Sequence, residues 1–351
     1  MKITIYGKLD PTEQAIGGQL DKTKIIVSAM NQFADETISF CNLYKRNSLL
    51  SLIRTAREII KSDKNICIVS YRGIIIFTVL FQVLSKIKKS EYYCIVVGNI
   101  EAEQLAKHGR IFNWFCSLNG VFFESKLMCQ KFKSAGCYNS FYFPNCRKIK
   151  TRQTKHIPKE QIPIKFCTYS RVAEEKGILD AIIAVKEVNR LYQSTVCLLD
   201  IYGPVEVRFK EKLAKAIDEE DYIKLCGPLD SDEANDVLEN YTALLFPTHH
   251  KGEGVPGCVL IALESGLPII ATNINSNPET IDNGRTGFLY DENDSEKLIQ
   301  IIREAIENPQ ILWEMRKSCR ESVYRFDIQY NIVNLMKILG IPKKKLEQSE
   351  A

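Results

Sequence analysis

The turn Gly252-Glu253-Gly254-Val255-Pro256-Gly257 separates a short apolar run from a helix-length apolar segment, and its residue types suit a phosphate. Glycines let a ligand approach the backbone closely. A helix beginning at Gly257 would aim the N–H groups of Gly257, Cys258 and Val259, and the positive end of its dipole, at one point. Glu253 adds a hydrogen-bond acceptor suited to hydroxyl groups. Further upstream, Arg171 and Lys176 flank a helix start at Gly177, either as surface charges or as holders of an anion. Of the adjacent His249 and His250, extended backbone turns one away from the other, and His250 is the candidate contact.

Read as letters, the turn is also a GxGxxG dinucleotide fingerprint. Such a site wants an acidic residue about 20 positions on, at the end of the next strand. Thr272-Asn273 stands there, Pro256 falls inside the turn, and charged Glu253 sits where a pyrophosphate would approach. A nicotinamide- or flavin-binding oxidoreductase is therefore a remote alternative. Asp230-Ser231-Asp232 has the letters of a DxD metal motif but opens a helix, where such residues cap.

The elements that must position these residues alternate along the whole chain, which argues an α/β protein with parallel sheets. Strands are expected at 2–6, 66–70, 92–97, 120–124 and 140–143, with helices at 18–31, 48–61, 73–86, 101–107 and 126–135. The second half restarts with strands at 164–169, 197–202 and 223–226 and helices at 177–192, 207–219 and 231–241. A βαβ unit built on the glycine turn follows, with strands at 243–246 and 268–272, and then helices at 295–306, 309–323 and 328–339. Expected domain bounds are 1–150, a basic linker 151–163, 164–325, a C-terminal helix 326–340 packing back on the first domain, and a polar tail 341–351.

The 351 residues suffice for two such domains. A net charge of +4 is too balanced for a nucleic-acid binder. The twelve cysteines lie singly, without metal-ligand spacing, as reduced thiols of a cytoplasmic protein would. The start reads as a strand rather than a signal peptide. The most apolar stretch, 73–84, is shorter than the ~20 residues that span a bilayer.

From Gly252 to Thr272 the chain resembles the donor-binding signature of the family 4 retaining glycosyltransferases. The likeness extends to Phe246-Pro247-Thr248, to Asn277-Pro278-Glu279 and to Gly284–Leu289. Ser170–Gly177 resembles the family's Arg-x4-Lys-Gly segment, Ile201-Tyr202-Gly203 and Leu225-Cys226-Gly227 its inner strands, Phe143-Pro144-Asn145 the end of its first domain, and Gly17-Gly18 its early glycine loop. The resemblance implies the GT-B architecture, two Rossmann-like domains with parallel sheets facing a central cleft. It also implies transfer of a sugar from a nucleotide-diphosphate sugar (UDP or GDP) to an acceptor hydroxyl with retained anomeric configuration. No metal or other cofactor is implied.

By the same resemblance Arg171 and Lys176 hold the diphosphate, Glu253 touches the donor sugar, and Gly203, Gly227 and Leu229 line the donor site with the glycine turn. The acceptor would be a glycan or lipid-linked glycan, as in bacterial surface-polysaccharide or glycolipid assembly. Basic residues of the linker and of 86–89 would then rest on the inner face of the membrane. Two positions depart from the pattern. Ile261 replaces the usual second acidic residue for the ribose, leaving Glu264 either on the same face or merely solvated. Gly98-Asn99 stands where relatives carry a histidine near the donor sugar. A sugar-nucleotide-binding protein that has lost turnover is thus a further alternative.

Overall fold

The computed structural model describes residues 1–10, 18–43, 49–150, 162–217 and 220–344. Two compact units form, Met1–Lys148 with Arg325–Ala351, and Ile149–Tyr324. Expectations about Gly17, most of the linker (151–161) and the end of the tail (345–351) fall outside the described residues.

The first unit runs β1 (Ile3–Gly7), α1 (Gly18–Phe33), β2 (Ile38–Asn42), α2 (Leu49–Lys61), β3 (Lys64–Val69), α3 (Tyr71–Leu84) and β4 (Glu91–Val96). It continues through α4 (Ala102–Ala106), α5 (Arg110–Cys116), β5 (Gly120–Phe123), α6 (Lys126–Ser134) and β6 (Ser140–Tyr142). The sheet is parallel throughout, in the order β2-β1-β3-β4-β5-β6. Side chains alternate across it. Ile3, Ile5, Ile66 and Ile68 face Ile26 and Met30 of α1. Tyr6, Cys67 and Val69 face Phe77 and Phe81 of α3. Burial on both faces explains why β3 and β4 read as nearly unbroken apolar runs.

β2 was not expected from the sequence. It is an edge strand with three of its five residues only partly buried, so it lacks the apolar run that marks its neighbours. α5 was not expected either. Gly109, at φ +50°, breaks the chain between α4 and α5. His108 lies in that turn and meets the Tyr71 hydroxyl at 2.8 Å.

The second unit holds β7 (Ile164–Tyr169), α7 (Ile178–Tyr192), β8 (Cys197–Tyr202), α8 (Lys210–Ile217), β9 (Ile223–Gly227), α9 (Ser231–Leu238) and β10 (Ala243–Phe246). α10 (Gly257–Ser265), β11 (Ile269–Thr272), α11 (Asn277–Thr280), β12 (Gly287–Tyr290), α12 (Ser295–Glu307) and α13 (Gln310–Ser322) complete it. Its parallel sheet is ordered β12-β11-β10-β7-β8-β9. Strand order therefore reverses between β7 and β10, and open α/β sheets take ligands at the carboxyl ends of strands at such a switch. The glycine turn follows β10 and the Arg171–Lys176 segment follows β7.

The last helix, α14 (Ile328–Ile338), belongs to the first unit and packs on α1. Its Ile328, Ile332, Leu335 and Met336 complete the core on that side of the sheet. Burying each such side chain contributes about 1.5–3 kcal/mol. Among the described residues no helix is long and apolar enough to cross a membrane.

Candidate functional site

At the end of β7 the chain is locked to the end of β8. The Val172 N–H donates to the Pro204 carbonyl at 2.9 Å and Glu206 N–H donates to Val172 at 3.0 Å. Gly203, at φ +138°, makes the approach possible, since a Cβ there would lie 1.7 Å from the Ser170 carbonyl oxygen. A short 3-10 turn over Glu174–Lys176 follows, closed by Gly177 at φ +69°. A Cβ on Gly177 would fall 1.8 Å from the Pro247 oxygen, so only glycine lets this turn sit on the chain leaving β10. Thr248 Oγ1 and the His249 N–H both donate to the Glu175 carbonyl, at 3.3 and 2.9 Å, and seal that contact.

The packing brings Lys176 and Glu253 together as an ion pair across 77 positions of sequence. Lys176 is buried, and its ammonium lies 5.9 Å from the centre of the Phe246 ring. Both side chains are mostly shielded from solvent, at 10% and 16% exposure, so the pair is screened less than a surface pair would be. The Glu253 N–H donates to the His250 carbonyl at 3.0 Å, which folds the turn back on itself. His249 points away, towards Asp180 at 2.5 Å and Glu292 at 3.4 Å, whereas the His250 ring lies over Gly252.

Polar residues that the sequence reading passed over hold the turn from below. Thr272 Oγ1 donates to the Thr248 carbonyl at 2.6 Å, Asn275 donates to His250 at 2.9 Å, and the Ser276 hydroxyl donates to the Gly254 carbonyl. Thr248, Thr272 and Ser276 are buried. Part of the signal was available: Thr272 ends a strand that is otherwise wholly apolar, and Thr248 stands two residues past another. The place where a dinucleotide site wants a carboxylate is thus filled by a hydroxyl spent on the neighbouring strand end.

α10 begins at Gly257 with Pro256 as its N-cap, and no side chain caps it. The Val259 N–H, expected in the anion cradle, donates instead to the Pro256 carbonyl at 3.1 Å. The expected cradle would correspondingly narrow to the N–H groups of Gly257 and Cys258. Burial first, then the nearby Glu253 carboxylate, push the Cys258 thiol up to about 12, with Lys176 opposing, so it is neutral at physiological pH.

Arg171 is placed less simply than its spacing implied. It bridges Glu175 at 2.7 Å and Glu206 at 2.6 Å with its side chain 45% exposed. Burial raises the Glu175 carboxyl, but its own backbone N–H, Arg171 and His250 outweigh that and hold it below the usual range. Gly227 accepts from the Gly203 N–H at 2.8 Å, and the Leu229 carbonyl takes the Tyr169 hydroxyl at 3.5 Å, so both lie on the strand ends beside Arg171's segment.

Ile261 and Glu264 are both buried in α10. Glu264 is not solvated. Its carboxylate accepts from the Lys150 backbone N–H at 2.9 Å and from Asn235 of α9 at 3.3 Å. We expect Glu264→Leu to lower unfolding free energy by about 1–3 kcal/mol, because both donors lose their acceptor. Urea denaturation reads this, and nucleotide affinity should be unchanged.

In the first unit Gly98, at φ +84°, and Asn99 follow β4. Beneath them Lys22 of α1 makes a buried ion pair with Glu124 at 2.7 Å and reaches the Val96 carbonyl at 3.3 Å. Gly18 opens α1 with open space where a Cβ would stand. Among the described residues no cluster of three or more His, Cys, Asp or Glu is arranged to hold a metal ion.

The family model described as Glycosyl transferases group 1 matches residues 149–326. The chain is similar to the amylovoran biosynthesis glycosyltransferase AmsK of Erwinia amylovora, 28% identical over 166 residues, 45% of this chain and 39% of that protein. It is also similar to the capsular polysaccharide biosynthesis glycosyltransferase CapM of Staphylococcus aureus, 28% identical over 180 residues, 42% of this chain and 43% of that one. The chain thus spans less than half the length of these curated relatives. Among solved structures, Anabaena HepE in complex with UDP has a TM-score of 0.75 at 14% identity, covering 97% of this chain and 100% of that one. The lipopolysaccharide outer core galactosyltransferase WaaB in its apo form has a TM-score of 0.72 at 17% identity, covering 97% and 99%. At these identities the likeness is one of fold, the GT-B fold.

Proposed function

The chain belongs to the Glycosyl transferases group 1 family, and from that premise we propose that it is a retaining glycosyltransferase using a nucleotide-diphosphate sugar. The observation that carries this reading is the shielded Lys176–Glu253 pair at the β7/β10 switch, beside the start of α10. Cleaving the bond between the anomeric carbon and the phosphate oxygen leaves extra negative charge on the diphosphate. Once freed from Glu253, Lys176 joins the N–H groups of Gly257 and Cys258 in supplying positive potential there, and such electrostatic stabilisation is usually the largest single contribution to rate. Arg171 adds a second cation from the β7 side. Glu253, released from Lys176 by the incoming phosphate, accepts from the sugar hydroxyls. The acceptor oxygen then bonds to the same face of the anomeric carbon, and its proton passes to the departing phosphate oxygen. No metal is needed to balance this charge, and Gly98-Asn99 need not supply a base.

UDP is the first nucleotide to test, because HepE was solved with UDP and with UDP-glucose. The names of AmsK and CapM, glycosyltransferases of amylovoran and capsular polysaccharide biosynthesis, support an acceptor among growing surface polysaccharides. A membrane-facing, cytoplasmic enzyme fits that setting. One observation favours a second reading, a donor-binding protein without turnover: neither Ile261 nor Glu264 offers the ribose a carboxylate. Thermal shifts with UDP, GDP and NAD(P), followed by nucleotide-release assays with and without glycan acceptors, separate the two. Stabilisation by UDP or GDP with acceptor-dependent release is expected. Tight binding without turnover on any acceptor supports the second reading, and stabilisation by NAD(P) alone contradicts both.

A further inference from the structure

His249 turns its ring away from the glycine turn, yet it grips the Lys176 segment from both sides. Its N–H donates to the carbonyl of Glu175, the residue before Lys176, at 2.9 Å. Its Nε2 meets the carboxylate of Asp180, in the first turn of α7 just beyond Gly177, at 2.5 Å. The other ring nitrogen, Nδ1, faces the Glu292 carboxylate, shortly after β12, at 3.4 Å. Lys251, beside the glycine turn, holds that same Glu292 carboxylate at 2.5 Å. One imidazole thus ties the turn after β7 and the chain leaving β12 to the chain leaving β10. Both of its nitrogens face carboxylate oxygens, which only accept. The doubly protonated, positive ring donates to both. A neutral ring keeps one N–H and must set a lone pair against the other carboxylate.

The charged and titratable groups around the ring also include Tyr290 of β12, Asp294 at the start of α12, and His250 on its own segment. Glu175 turns its carboxylate to Arg171. Burial first, then Asp180 and Asp294, push the Tyr290 hydroxyl up, so it stays neutral. Lys251, against some burial, and then His249 hold the Glu292 carboxyl below the usual range, so it stays ionised where histidine titrates. A cavity of about 160 Å³, lined by Asp180, His249, Tyr290 and Asp294 among others, gives the ring room to swing once a contact is lost. We propose that His249 is a proton-gated positioning residue: its imidazolium clasps the Lys176 turn to the chain entering the glycine turn, and deprotonation slackens that clasp. What the clasp serves rests on the transferase reading, whereas the clasp itself does not. Histidine loses its second proton as pH rises, so the hold is present at low pH and lost at high pH. His249 and Asp180 are 29% and 36% exposed, so solvent screens the pair and its loss loosens the turn without unfolding the chain.

The test uses the intact protein from about pH 6 to about pH 8, the range in which histidine titrates. Calorimetry reads the affinity for UDP-glucose, whose doubly esterified diphosphate does not itself titrate there. Amide hydrogen exchange of the nucleotide-free protein, corrected for intrinsic rates, reads the protection of the Lys176, Gly177 and His249 N–H groups. In the parent, affinity should fall about three- to tenfold as pH rises, and protection should fall with it. His249→Gln should stay at the low level throughout. His249→Arg keeps a positive fork for both carboxylates, so its profile should be flat and high. Asp180→Ala removes one anchor without touching the ring and should be low at every pH. Protection in the parent that ignores pH, a His249→Gln variant equal to the parent at low pH, or a His249→Arg variant that follows the parent's profile overturns the proposal. The exchange measurement needs no nucleotide. Failure of UDP-glucose to bind at any pH therefore counts against the donor reading, and exchange alone then decides the clasp.

Discussion

Replacing Lys176 with methionine is expected to lower kcat/KM for the nucleotide sugar by about 10²–10³-fold, the usual cost of removing one preorganised group that stabilises transition-state charge. Methionine keeps the apolar stem against Phe246, so the turn has reason to hold its shape. What disappears is the charge, and its loss acts twice. The diphosphate loses its cation, and Glu253, only 16% exposed, stays behind as an unpaired anion facing it. UDP affinity should therefore fall together with turnover. Glu253→Gln should behave differently, because it frees Lys176 from a competing carboxylate. UDP should then bind at least as tightly as to the parent, while transfer falls for want of the sugar's acceptor. Steady-state kinetics with UDP titration of both variants reads the contrast. Parallel losses of UDP affinity in the two variants would contradict the division of roles.

Gly177→Ala carries the second large effect. The added Cβ would stand 1.8 Å from the Pro247 oxygen, at a backbone φ of +69°. A collision with backbone cannot be relieved by a side-chain rotation, so the turn must lift away from β10 and carry Lys176 with it. The expected cost is about 3 kcal/mol or more, among the larger single-residue effects, with activity lost as well. Gly227→Ala is the comparison. It also has positive φ, +80°, but open space where the Cβ would go, so it should cost only the ~1–2 kcal/mol of left-handed backbone. Urea denaturation of both reads the difference. Equal stabilities would show that the close approach to Pro247 is not what fixes the turn.

The parts of the site legible in the sequence were those set by local backbone demands. Gly177 and Gly203 announce themselves because only glycine serves there, and the runs 243–246 and 269–271 are apolar because both sheet faces are covered. What the sequence concealed depends on distant partners. Nothing local says that Lys176 meets Glu253, 77 positions away, or that Lys22 is buried against Glu124, 102 positions away. Lys22 reads as an ordinary charged residue on a helix. Glu264 looked like a solvated or ligand-facing carboxylate, because the Lys150 N–H and Asn235 that donate to it lie 114 and 29 positions off. The Val259 N–H misled for the opposite reason: the first turn of α10 tightens on Pro256, which no spacing rule foretells. β2 escaped notice because an edge strand can stay partly exposed and mixed in polarity.

The central claim is that the β7/β10 switch of the second unit holds the diphosphate of a nucleotide sugar. A crystal structure with UDP tests it most directly. The diphosphate is predicted to lie at about 3 Å from the Lys176 ammonium and from the Gly257 or Cys258 N–H, ordinary hydrogen-bond distance, with the Lys176–Glu253 pair opened. UDP bound elsewhere, or bound there with that pair still closed, would contradict the account.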